Sequence, residues 1–152
     1  MKKLGVIGGL GPMATAFFMQ MVIEMTDARV DQEHIEMLIH NCPGIPDRTK
    51  YILGKTSENP GPQMIAIGKR LAENGAEVIA IPCITANYFY KDLSRQIPAK
   101  VINTIQETAS YLGKRGIGTV GLMATNGTVE SRLFNRELEG NGIKLEIPGE
   151  KS

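Results

Sequence analysis

Cysteine is scarce in this 152-residue chain, with only Cys42 and Cys83 present. A lone pair in a chain of this size makes no disulfide framework, so both read as reduced thiols of a cytosolic protein. Histidine is as scarce, and His34, His40 and the two cysteines lack zinc-ligand spacing, so no metal is expected. Neither sign of charge is in excess: 17 basic residues stand against 16 acidic ones, for a net +1. No basic block or stripe is present, which argues against a nucleic-acid partner and against a charge-driven membrane partner. No apolar run is long enough to span a bilayer. Lys2 and Lys3 before an apolar stretch imitate a signal peptide, but Gly8, Gly9, Gly11 and Pro12 break the helix that such a signal needs. There are no heptads, short-period repeats or low-complexity segments.

What is present is ordinary globular material, 42% hydrophobic and 22% charged. Leu4 to Ile7 reads as a buried strand running into the turn Gly8-Gly9-Leu10-Gly11-Pro12. Met13 to Met25 has helical spacing, and Pro12 suits a first helical position. Further strands are expected at 35–39, 78–81, 118–123 and 143–147, with a strand end just after Pro98. Helices are expected at 47–53, 64–73, 85–95, 101–115 and 129–138. Strand and helix alternate, so the expected fold class is α/β: a parallel sheet with helices on both faces. Two similar domains are expected, residues 1–98 and 99–152, the second incomplete. Its few elements supply little apolar surface for a core of their own. That unit is expected to need further residues, a partner chain or packing on the first domain.

Ligands of open parallel sheets bind beyond the carboxyl ends of the strands. Loops 8–12, 41–49, 82–87 and 124–128 lie there. Cys83 follows a strand directly and precedes an expected helix start at Thr85, where free N–H groups and the helix dipole favour a thiolate. A buried structural cysteine is the alternative. Thr85 offers a hydroxyl and a helix cap. Gly9, Gly11 and Pro12 imitate a dinucleotide fingerprint, but His40 and Asn41 stand where a ribose-binding acid belongs. That turn is either a plain strand–helix connection or a close approach to a small carboxylate. Arg48 in Pro46-Asp47-Arg48-Thr49 is a candidate carboxylate clamp or a solvated surface residue. Thr125, Asn126 and Thr128 form a polar turn before a helix, suited to a second carboxylate or to capping alone. Cys42 reads as a small buried filler.

Taken in order, four segments resemble the aspartate/glutamate racemase family. They are Gly8-Gly9-Leu10-Gly11-Pro12-Met13-Ala14-Thr15, Pro46-Asp47-Arg48-Thr49, Pro82-Cys83-Ile84-Thr85-Ala86-Asn87-Tyr88-Phe89 and Gly121-Leu122-Met123-Ala124-Thr125-Asn126-Gly127-Thr128. The resemblance implies two α/β domains with the site in the cleft between them. It implies proton transfer without pyridoxal phosphate or any other cofactor. One thiolate removes the α-proton and a second thiol delivers one to the opposite face. Cys83 would be the first thiol, with Arg48, Thr85, Thr125 and Thr128 holding carboxylates. Gly9, Gly11, Pro12, Asn87 and Asn126 complete the expected substrate-binding set. The expected partner is an amino acid or small dicarboxylate, and a homodimer is expected. Ile84 and Asn87 depart from the family's usual Asn and His. That leaves open an isomerase or decarboxylase of a related dicarboxylate on the same fold. The family's second thiol, in a Gly-Cys-Thr segment, and its lysine for the distal carboxylate have no counterpart before Ser152. A non-catalytic amino-acid-binding remnant is therefore a further alternative.

Overall fold

The structure, a computed structural model, describes residues 2–149. Strand β1 (Leu4–Gly8) lies inside a four-stranded parallel sheet of order β2-β1-β3-β4, with β2 at Met37–Asn41, β3 at Val78–Ala80 and β4 at Lys100–Val101. All three pairings are parallel, as the alternation of strand and helix requires. Helices α1 (Pro12–Met25), α2 (Arg48–Ile52), α3 (Gly61–Glu73) and α4 (Tyr90–Gln96) connect these strands. Side chains alternate along β1, and the surroundings of its glycines show which helix covers which face. A side chain at Gly8 would meet Thr15 of α1, whereas one at Gly5 would meet Leu71 of α3. Helices α1 and α3 therefore cover opposite faces.

The second lobe contains α5 (Thr104–Lys114), β5 (Thr119–Gly121), α6 (Asn126–Glu130), α7 (Leu133–Gly140) and β6 (Lys144–Glu146). Its two strands pair in parallel as a separate sheet. Each lobe has its own core. The first centres on Ile7, Met64, Ile67, Ile79 and Leu93, the second on Ile105, Ala109, Phe134, Leu138 and Ile143. The first core includes Val101, so the change of lobe falls after β4 and not at residue 98.

Three further expectations are corrected. The second strand is shifted two residues, because Leu4–Gly8 pairs in register with Met37–Asn41 and leaves Ile35 outside. The expected helix at 129–138 is two helices, broken at Arg132, whose φ of 54° is left-handed. The helix expected from Thr85 begins as a 3-10 turn, Thr85–Phe89, and becomes α-helical only at Tyr90.

Helix α1 is apolar nearly all round, yet only Thr15 in it is buried. Met13 is 80% exposed, Phe17 59% and Met25 79%. No helix among the described residues is long and apolar enough to cross a membrane.

Helix α3 approaches the sheet closely through Gly68. A Cβ there would overlap the side chain of Ile97 and touch Ile7 Cδ1 at 3.4 Å, and both isoleucines are buried. Gly68→Val is expected to lower the unfolding free energy by about 1–3 kcal/mol through overpacking. Urea unfolding with an unchanged m-value and a lowered midpoint is the check.

Candidate active site

The strand order places the connections from β1 to β2 and from β3 to β4 on opposite sides of β1 and β3. A crevice opens at such a reversal, beyond the carboxyl ends of the two strands. Loops 8–12 and 82–87 line it, and the second lobe closes over it with 122–128.

The loop after β1 is held by Thr15. Its hydroxyl accepts from the Gly9 N–H (2.9 Å) and donates to the Gly11 carbonyl (3.1 Å). Gly9 has a φ of 94°, and a Cβ there would overlap the backbone of Cys42. Gly9 is thus required by both conformation and space. Gly11 precedes α1 and Pro12 begins it. These three residues shape the turn. The residue the turn presents to the cavity is Leu10.

Cys83 sits three residues past β3, half-buried and free, packed against the first core. Its N–H donates to the Ile81 carbonyl (2.7 Å), which turns the chain sharply at the sheet edge. Thr85 does not cap a helix. Its hydroxyl lies 2.9 Å from that of Thr125 and 3.0 Å from that of Thr128, and the latter two are 3.2 Å apart. Thr85 is 6% exposed and Thr128 1%. Three hydroxyls, one from the first lobe and two from the second, thus close a ring across the lobe junction. Thr125 also caps α6, accepting from the Thr128 N–H. Hydroxyls can turn, so the ring can give its protons to an anion that enters beside it.

The cavity next to this ring holds about 360 Å³. Cys83, Thr85, Thr125 and Thr128 line it together, beside the apolar Leu10, Ile84, Leu122, Met123 and Phe134. Other expected site residues lie elsewhere. Pro12 borders a separate hollow with Ala16 and Ile39. Asn126 is exposed at the start of α6 and is absent from the lining. The Arg48 guanidinium turns back on its own loop, where Nη1 donates to the carbonyls of Ile45 (3.3 Å) and Pro46 (3.0 Å). Its Nε is buried without a partner. Asn87 spends its amide on the backbone carbonyls of Cys83 and Ile84 and on the Thr104 N–H. Cys42 packs on the first core and accepts from Gln63 Nε2 (3.4 Å). Among the described residues, no group of three or more His, Cys, Asp or Glu is placed to hold a metal ion.

Sequence reasoning missed Leu10, Leu122, Met123 and Phe134 as lining residues. Phe134 carried one signal, its spacing of four from Leu138, which marks a buried helical face.

Residues 7–152 match the family model described as Asp/Glu/Hydantoin racemase. The chain is 24% identical over 148 residues to the broad specificity amino-acid racemase RacX of Bacillus subtilis, with 93% of this chain and 63% of RacX covered. The aspartate racemase of Picrophilus torridus superposes with a TM-score of 0.90 at 35% identity, covering 97% of this chain and 63% of that one. An aspartate racemase homologue from Pyrococcus horikoshii gives a TM-score of 0.80 at 25% identity, covering 99% and 66%. The chain therefore spans less than two thirds of the length of these relatives, its second lobe is incomplete by comparison, and it belongs to the Asp/Glu/hydantoin racemase family.

Proposed function

We propose that the full-length protein racemises an acidic amino acid, aspartate or glutamate, by proton transfer at the α-carbon without a cofactor. The observation that carries this reading is the hydroxyl ring of Thr85, Thr125 and Thr128 beside Cys83, at the crevice between two lobes. The ring's protons are suited to a substrate carboxylate. As the α-proton leaves, negative charge moves toward that carboxylate, and donors fixed there lower the barrier. The Cys83 thiolate takes the proton from one face of the α-carbon. A second acid returns a proton to the other face and so inverts the centre. Cys42, against the first core and bonded to Gln63, is not placed as that acid. Arg48 reaches substrate only by leaving the carbonyls of Ile45 and Pro46, and its unpartnered Nε supports such a rearrangement.

A cytoplasmic location belongs to the same reading, because reduced thiols persist there. A homodimer does too, supported by the exposed apolar side chains of α1. A dicarboxylate isomerase or decarboxylase is the second reading, favoured by Ile84 in the cavity wall. Incubation in deuterated water with each enantiomer of aspartate and glutamate separates the two. Racemisation with one solvent deuteron at the α-carbon of the inverted product supports the proposal. No exchange with any acidic amino acid, together with turnover of a dicarboxylate, overturns it.

A further inference from the structure

We infer that Asn87 is a positioning residue for Cys83, setting where the thiol stands relative to the second lobe; this rests on the racemase reading given above. Asn87 lies in the 3-10 turn after Cys83 and lines a groove on the far side of that turn, with Tyr88, Lys91 and Arg136, not the Cys83 cavity. It therefore acts on the reaction only through other residues. Its Nδ2 donates to the Ile84 carbonyl (3.0 Å) and the Cys83 carbonyl (3.4 Å), and its Oδ1 accepts from the Thr104 N–H (3.2 Å).

This bonding fixes which end of the amide points where. Two carbonyls favour the nitrogen and one N–H demands the oxygen. Each carbonyl also accepts a backbone N–H, from Ala86 and from Asn87, so the reverse orientation sets two oxygens against the amide oxygen and leaves the Thr104 N–H unpaired. The Thr104 N–H is also one that needs an outside partner. It is the first amide of α5, where an α-helix leaves its N–H groups unbonded, and Asn103 caps a different one, that of Gln106. Asn87 supplies that partner and at the same time grips the backbone at the thiol. The second lobe is thus tied to the Cys83 loop from both sides of the turn: by the threonine hydroxyls in the cavity and by the Asn87 amide behind it. The amide alone does this with donors and an acceptor together. An aspartate keeps the acceptor but sets a charge against the Cys83 and Ile84 carbonyls. An alanine gives neither.

Two variants of the full-length protein test the inference. Asn87→Ala and Asn87→Asp are each expected to lower kcat about tenfold, with KM changed less than about twofold, since a misplaced base costs the transition state and not ground-state binding. The second readout needs no turnover: the iodoacetamide alkylation rate of Cys83 against that of Cys42, followed by peptide mass spectrometry. The Cys83 rate is expected to change at least about threefold while Cys42 stays constant, because thiol reactivity follows local surroundings. Unchanged kcat and unchanged Cys83 alkylation in both variants overturn the inference. So does a parallel rise at both cysteines with a collapsed Tm, which marks a merely structural role. If the parent protein shows no racemase activity, the function proposed above fails, while selective change at Cys83 still supports the positioning bracket.

Discussion

Cys83→Ala is expected to lower the rate of α-proton exchange by about 10²–10⁴-fold, the range that a positioned general base contributes. The loss should fall on kcat, because the hydroxyls of Thr85, Thr125 and Thr128, proposed above to hold the carboxylate, remain in place. Cys83→Ser should lose about as much, since its hydroxyl is far harder to ionise than a thiol. The thiol is half-buried against the first core, so a loss of stability of about 1 kcal/mol accompanies the alanine change and leaves the fold intact. Cys42→Ala is the control. Its sulfur meets Gln63 and the core, away from the cavity, and activity within about twofold of the parent is expected. Chiral chromatography with mass detection in deuterated water reads all three variants. Retained exchange in Cys83→Ala, or an equal loss in Cys42→Ala, removes Cys83 from the role given to it.

The residues that make this prediction possible were unevenly legible. The strand–turn–helix at the N-terminus was readable because its causes are local. Apolar residues run into glycines, and Pro12 then fixes a first helical position. The place of Cys83 was readable for a similar reason, since it closely follows a buried strand, and the thiol does line the cavity. The role of Thr85 was not. A threonine after a strand looks like a cap, and capping is settled within three residues. The bonds it makes instead lie 40 and 43 residues away in sequence, on another lobe. No local signal carries such a pairing.

The same division explains the other departures. The start of β2 is fixed by its partner β1, and its own propensities do not place it. The break between α6 and α7 falls on Arg132, a residue with no special liking for a left-handed backbone. A glycine there would have announced it. Asn87 is the sharpest case. Its place within a cleft motif suggested contact with substrate, yet its partners are three backbone groups. The motif marked the right segment and left the direction of the side chain undetermined.

Gly127→Ala is expected to weaken substrate binding about 10–100-fold, the equivalent of an overpacking strain of about 1–3 kcal/mol placed on the lobe junction. Gly127 is buried in α6 and faces α2 of the first lobe. A Cβ there would stand 2.9 Å from Thr49 Oγ1, 3.0 Å from Thr49 Cα and 3.2 Å from Thr49 Cβ. The backbone of Thr49 cannot rotate aside, so α6 must back away from α2. Helix α6 carries Thr128 and is capped by Thr125, so the same movement draws both hydroxyls away from Thr85. The carboxylate donors lose their alignment while Cys83, on the first lobe, keeps its place. KM should therefore rise more than kcat falls, the reverse of the pattern expected for Asn87. Thr49→Gly in the Gly127→Ala background removes Oγ1 and Cβ from the clash and leaves only the close approach to the backbone at position 49. Partial recovery of KM is expected, and steady-state kinetics of the three proteins give the comparison. A Gly127→Ala protein that binds substrate as tightly as its parent would show that the lobes seat through some surface other than this one.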